Sequence, residues 1–292
     1  MIYPISFCIP ESKIIKHIPY KTKIFGSIIP GNSNTYIFND ESLYYADYQS
    51  AVFGITRKKA GWDCMRHYEI LANGCIPFFY NLENCPAATM THFPKRLIIE
   101  AAKLIYSIED LNNINIQNII KELTEYTRQH LTTKAMAEYV IKTISQSSAT
   151  KILFFTHSQC PDYLRDQVLH GFKAIFKNNC HDFPKINHMY TDYTDNTLNL
   201  YGRGFSYTKI LEPQDHNPQT SEDIINNIKN KFYDFIVYGV SDRGLPFWDH
   251  VNSHYPKENI IIMCGEDIHN CNVKSCSKDY YFFLRESESY LS

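Results

Sequence analysis

The chain has 292 residues and is 44% hydrophobic, enough for two domains of about 150 residues each or one large one. Its formal net charge of −2 leaves no electrostatic footprint for nucleic acid or an anionic membrane, and no apolar run is long enough to span a bilayer. The N-terminus, MIYPISFCIPESK, shows no basic region and no small-residue cleavage site, and the nine Cys are odd in number, which together predict reduced thiols and a cytoplasmic location.

Aromatic residues make up 14% of the chain, with 22 Tyr and 18 Phe. Sugar-binding sites favour aromatic faces, but segments such as NNINIQNII point to a compositional bias toward Ile, Asn, Lys, Tyr and Phe as the simpler source.

In chain order, residues 36–50 read as a loop and a helix, followed by a short strand from Ala51 to Thr56. The basic turn Arg57-Lys58-Lys59-Ala60-Gly61 leads to a predicted helix from about Trp62 to Asn73, stopped by Gly74, and CIPFFY is the next strand. Strand, glycine turn, helix and strand make an α/β unit. PKRLIIEAAKLIYSI, IQNIIKELTEYTRQHL and TKAMAEYVIKTI read as helices, and SQSSAT as a linker. The pattern then restarts. KILFFTH, YDFIVYGV and NIIIMCGED are buried-type strands, while PDYLRDQVLHGFKAIF and SEDIINNIKNKF are helices. Alternation of this kind predicts parallel sheets flanked by helices. The expected fold class is therefore α/β, with two Rossmann-like domains over residues 1–146 and 151–292 facing across a cleft.

On a helix over 62–73, Cys64, Met65, Tyr68, Leu71 and Ala72 share one arc, and Trp62, Asp63, Arg66, Glu69 and Asn73 the opposite, outward one. A helix N-terminus offers free N–H groups and a positive dipole end, which suit a phosphate. Lys59 adds charge and Gly61 lets backbone come close. Arg66, one turn in, can grip a diphosphate, and Glu69 beyond it can accept from a sugar diol. The alternative is an ordinary exposed face on which Arg66 and Glu69 form an i,i+3 ion pair.

The stretch DYQSAVFGITRKKAGWDCMRHYEILANGCIPFF resembles the signature of exostosin-like glycosyltransferases. The matching elements are the strand Phe53 to Thr56, Arg66, Glu69 and Gly74-Cys75-Ile76-Pro77, about a tenth of the chain. The resemblance implies a GT-B fold, a sugar nucleotide in the cleft, no metal requirement, Arg66 on the diphosphate and Glu69 on the ribose. GT-B enzymes place the donor domain second, whereas here the donor-like motif lies in the first half, so the domain order is permuted or the halves come from a longer tandem protein.

In the second half, His157, Asp242 and Glu266 end predicted strands, so all three line one sheet edge and are candidates for the base that deprotonates an acceptor hydroxyl, with His157 favoured. Strand-end polar residues also simply cap the helices that follow. The turn Tyr201–Phe205, YGRGF, reads as a plain turn, with an approach to phosphate or carboxylate as the other use of its Arg. Cys264, His269, Cys271 and Cys276 lack zinc-knuckle spacing and read as thiols. The expected function is transfer of a sugar from a nucleotide diphosphate sugar to a glycan hydroxyl, without metal or other cofactor. The rival is a non-catalytic nucleotide-sugar or glycan-binding module. A Rossmann oxidoreductase is disfavoured because neither half shows a glycine fingerprint after its first strand.

Overall fold

The computed structural model describes residues 2–144, 151–267 and 279–286. It is an α/β protein with two parallel sheets. Strands β2 (Lys23–Phe25), β3 (Ala51–Ile55) and β4 (Ile76–Phe78) form a three-stranded sheet in sequence order. Helix α1 (Glu41–Gln49) joins β2 to β3, and α2 (Met65–Ala72) joins β3 to β4. Asp40 caps α1 by accepting from the Leu43 amide, which satisfies one of its unpaired first-turn donors. Gly74 ends the α2 segment at φ +61, a left-handed position that suits glycine, as expected from the sequence.

Helices α3 (Lys95–Ala102), α4 (Ile114–His130) and α5 (Thr133–Thr143) follow. The second sheet has the order β1-β9-β8-β7-β5-β6, all parallel. It contains β5 (Ile152–Phe155), β6 (Cys180–Phe183), β7 (Phe235–Tyr238), β8 (Ile260–Cys264) and β9 (Tyr281–Leu284). Helices α6 (Tyr163–Phe176), α7 (Ser221–Lys229) and α8 (Trp248–His254) connect β5 through β8. Side chains alternate across the sheet as strand geometry requires. Ile152 and Phe154 face the core shared with α5 and α6, while Leu153 and Phe155 face the core under α7 and α8. The chain runs from β5 outward to β6 on one side and to β7 on the other, so the gap between β5 and β7 is the topological switch point, where open α/β sheets bind ligands.

The sheets do not divide the chain at the SQSSAT segment, whose residues 145–150 lie outside the described ones. The sixth strand, β1 (Ile2–Pro4), comes from the start of the chain and pairs with β9. Helix α5 packs against α6, and one hydrophobic core runs from Ile5 through Val140 to Phe283. Residues of the first half thus complete the sheet and one helical layer of the second.

Six cysteines, Cys8, Cys64, Cys75, Cys85, Cys160 and Cys180, are free thiols. Cys264 is disulfide-bonded, so the expectation of reduced thiols does not hold there. His269, Cys271 and Cys276 lie outside the described residues. No helix among the described residues is long and apolar enough to cross a membrane.

The α5–α6 contact has a clear weak point. Gly171 sits mid-helix, and a Cβ there would lie 2.0 Å from the Thr133 carbonyl oxygen. Alanine is the better helix former by about 1 kcal/mol, but that overlap forces the helices apart. Gly171→Ala should therefore destabilise the protein by about 1–3 kcal/mol in denaturant unfolding; equal or greater stability would contradict the packing.

Candidate functional site

The loop Thr56–Cys64 connects β3 to α2, and buried polar contacts set its path. His67 is fully buried between Thr56 Oγ1 and the Trp62 carbonyl, at 2.8 Å from each. Burial holds its pKa down to about 3, so the ring is neutral and Nε2 donates to the Trp62 carbonyl. Trp62 is 4% exposed and packs in the core. Asp63 is 1% exposed, with Oδ2 accepting from the Phe7 amide at 2.7 Å and Oδ1 from the Tyr68 hydroxyl at 2.7 Å.

The sequence expectation fails here in two ways. The helix begins at Met65, not Trp62: Trp62 lies in a bend, and Cys64, the residue before the helix, is extended at φ −128, ψ 138. And Trp62, Asp63, Glu69 and Asn73 of that arc are buried, not outward: Glu286 and Ser206 of the second half reach Asp63 and Glu69, and Phe7, Tyr44 and Gln49 of the first half reach Asp63, Glu69 and Asn73.

The place expected for a phosphate, at the Gly61 turn, is also filled. Glu286, after β9, accepts from the Asp63 amide at 2.8 Å, and a Cβ on Gly61 would meet its Oε1 at 2.4 Å. The turn does bind a carboxylate, but it is the chain's own. Burial, opposed by Arg285, lifts the Glu286 carboxyl to about 7. The amides that remain open belong to Met65 and Arg66 in the first turn of α2. Cys64 caps the helix without a side-chain hydrogen bond, and neither amide has an acceptor among the described residues.

Met65 and Arg66 line a cavity of about 430 Å³ between the two halves, within the usual range for a small-molecule site. Its cations are unequal. Arg203 is spent on the Tyr36 and Phe38 carbonyls and Asn39 Oδ1. Arg285 is spent on the Asp63 and Gly265 carbonyls and Asp267, and Arg243 on the Cys160 and Pro161 carbonyls and Asp162. Lys59 and Arg66 have no ion pair with a described residue. The i,i+3 pair of Arg66 with Glu69 is absent. The Arg66 guanidinium lies 5.2 Å from the Tyr36 ring centroid, and its buried Nε has no hydrogen-bond partner. Burial opposes its charge, but the nearby tyrosine oxygens and Glu69 outweigh it, so its pKa is raised.

Glu69 lines the same cavity and is 6% exposed. Its Oε1 accepts from the Ser206 hydroxyl at 2.5 Å and its Oε2 from the Tyr44 hydroxyl at 2.7 Å. Both oxygens are thus already engaged, one by the second half of the chain. The YGRGF turn is the element that brings Ser206 in, and its Arg203 clamps the 36–39 loop, a contact that neither sequence reading of the turn expects.

Of the three expected bases, only Glu266 lines the cavity. Asp242 hydrogen-bonds it; with burial and the negative charge of Asp242, Asp162 and Asp267, this lifts the Glu266 carboxyl to about 7. His157, the favoured base, does not line the cavity and lies against Gly244 instead. The structure therefore brings together Lys59, Asp63, Arg66, Glu69 and Glu266, while Gly61 and Trp62 serve the loop beneath them. Sequence reasoning missed the wall of Tyr36, Phe38, Tyr163, Tyr201 and Phe205, for which no local motif gives a signal.

Comparison with protein-family models, curated proteins and solved structures finds no match.

The contact between Asp242 and Glu266 gives a direct test. Replacing Asp242 by Asn removes the charge that favours the protonated Glu266. The Glu266 titration, followed by carboxyl NMR, should move down from about 7 toward the ordinary value of 4.5. An unchanged midpoint would show that the two carboxyls do not interact.

Proposed function

We propose that the chain is a glycosyltransferase that moves a sugar from a nucleotide diphosphate sugar to a glycan hydroxyl, with the donor in the cavity between the two halves. One observation carries this reading. A single aromatic-walled cavity is lined on one side by Arg66, which has no ion pair with a described residue, and by the first turn of α2, and on the other by a carboxyl lifted to near neutrality, Glu266. The two parallel sheets and the cavity between their halves fit a GT-B arrangement in which the donor-side elements come first in the chain.

The chemistry follows from the charges. As the bond from sugar to diphosphate breaks, negative charge grows on the leaving group. Arg66, Lys59 and the α2 amides stabilise that charge more than they stabilise the intact donor, and so lower the barrier. The acceptor hydroxyl must lose a proton as it attacks. Glu266 in its ionised form accepts it, and a pKa of about 7 makes it a stronger base than an ordinary carboxylate while leaving much of it ionised at neutral pH. Tyr36, Phe38 and Tyr201 supply faces for a base or a sugar ring.

Arg66→Ala should weaken nucleoside diphosphate binding by about 2–3 kcal/mol in calorimetry. Glu266→Gln should leave that affinity nearly unchanged and cost about 10²–10⁴-fold in turnover. In the wild type, turnover should fall as pH drops below about 7, where Glu266 is protonated. If both variants bind and turn over sugar nucleotides as the wild type does, the reading fails. If the wild type binds nucleoside diphosphates but transfers from no sugar nucleotide, the chain is a binding module.

A further inference from the structure

The carboxyl ends of the two sheets meet at a buried acidic junction. Asp63, in the loop after β3, makes three contacts with segments that follow strands of the six-stranded sheet. Its carboxylate accepts from the Phe7 amide, just after β1, at 2.7 Å. Its own amide donates to Glu286 Oε1 at 2.8 Å, and its carbonyl accepts from Arg285 at 2.5 Å. Two of the three contacts thus run through Arg285 and Glu286, which directly follow β9. Asp63 and Arg285 are 1% exposed and Glu286 is 5% exposed.

Charge at this junction does not balance. Arg285 is the cation that pairs with it, through Glu286 Oε1 at 3.1 Å and through Asp267, after β8. Two buried carboxyls and the exposed Asp267 therefore share one guanidinium. The other titratable groups that face the junction are Lys59, Cys64, His67 and Tyr68 beside Asp63, Cys8 after β1, and Cys85 with Lys95 after β4. Burial keeps the three thiols protonated and His67 neutral. Lys95 is spent on the Pro86 and Thr89 carbonyls, and neither lysine pairs with these carboxylates. The carboxyls are also unequal. Burial pushes Asp63 upward, but Arg285 and two donors, the Phe7 amide and the Tyr68 hydroxyl at 2.7 Å, favour its ionised form. Asp267 is solvated. Glu286 is buried and shares its cation, so burial lifts it furthest, from the ordinary 4.5 to about 7.

We propose that Glu286 is a proton-controlled latch between the two sheets: protonated, it keeps the segment after β9 closed on Asp63, and ionised, it loosens that segment from the loop that leads into α2. The latch does not rest on the glycosyltransferase reading. With Glu286 protonated, Asp63 and Arg285 remain as a balanced buried pair. Ionisation sets a second buried negative charge beside Asp63, and opening relieves it by letting water reach both carboxylates. The sign follows from linkage. Glu286 holds its proton more tightly closed than open, so the closed form is most stable below about pH 4.5. It loses stability as pH rises to about 7 and changes little beyond. Asp63, Arg285 and Asp267 line the cavity, so the latch controls the rigidity of that wall.

NMR of the Asp63 amide in the full chain tests the latch. That amide donates to Glu286, so its chemical shift should titrate with a midpoint near 7. The midpoint should persist in Glu266→Gln, which removes the other carboxyl that titrates there. Hydrogen exchange of the same amide reports local opening once the intrinsic pH dependence of exchange is divided out. The resulting protection factor should fall by up to about 10²-fold between pH 5 and 8, the size set by the gap between 4.5 and about 7. Glu286→Gln keeps an acceptor for the Asp63 amide and cannot ionise, so its protection should stay level over that range. An Asp63 shift that does not titrate between pH 6 and 8 would overturn the latch. So would wild-type protection that stays level or rises with pH, or a Glu286→Gln variant that follows the wild type. The two wild-type measurements decide the matter even where Glu286→Gln does not fold.

Discussion

Asp63 is the junction on which the candidate site depends. Its carboxylate accepts from Phe7, just beyond β1, its amide donates to Glu286, just beyond β9, and its carbonyl accepts from Arg285 at 2.5 Å. Three distant segments thus meet at one buried residue. Arg285 also lies 4.4 Å from the Phe7 ring centroid and donates to the Gly265 carbonyl, so the same cluster reaches the residue before Glu266. The start of α2 and the end of β8 are held in register through this cluster. Without it, Arg66 and Glu266 would have no fixed relation across the cavity.

The cluster also explains why the cationic side of the cavity is uneven. Buried charges are tolerated when paired or hydrogen-bonded, and cost several kcal/mol each when they are not. Arg203, Arg243 and Arg285 obey that rule by binding backbone carbonyls or carboxylates of their own chain. Arg66 breaks it. It is mostly buried, and what surrounds it is tyrosine hydroxyls and one carboxylate at more than ion-pair distance. An unpaired cation at a helix N-terminus is a poor choice for stability and a good one for holding an anion.

Three of the four central strands of the second sheet were legible, and the fourth, β9, was not read as a strand. β5, β7 and β8 are continuous apolar runs, as a strand buried on both faces must be. The edge strands β1 and β6 were not. Cys180-His181-Asp182-Phe183 alternates buried and half-buried positions and carries two polar side chains, and Ile2–Pro4 is too short to show any period. β2 failed for the same reason. Helices α4 to α6 came close to their expected bounds because each has a long apolar stripe. Of the residues singled out in 57–69, Lys59, Asp63, Arg66 and Glu69 line the cavity, but their setting was not readable. Periodicity separates two faces of a helix, yet it cannot say that the polar face is covered by another part of the chain. Asp63 and Glu69 look like surface residues in sequence because their partners, Phe7, Glu286 and Ser206, lie far away along it.

That last contact sets a condition on the whole site. Glu69 belongs to the first half, yet its Oε1 is satisfied by Ser206, and the loop bearing Tyr36 and Phe38 is fastened by Arg203. The turn that supplies both runs through positive φ at Gly202, Arg203, Gly204 and Ser206. Non-glycine residues in that region carry strain of about 1 kcal/mol or more, which the contacts to Glu69 and to the 36–39 loop offset. Remove the second half and Glu69 loses its Ser206 donor and that part of its cover, and the aromatic wall loses its clamp. The 57–69 motif is therefore not a self-sufficient module grafted onto a helix. The residues that match it take their geometry from the other half, so the cavity exists only where both sheets are assembled.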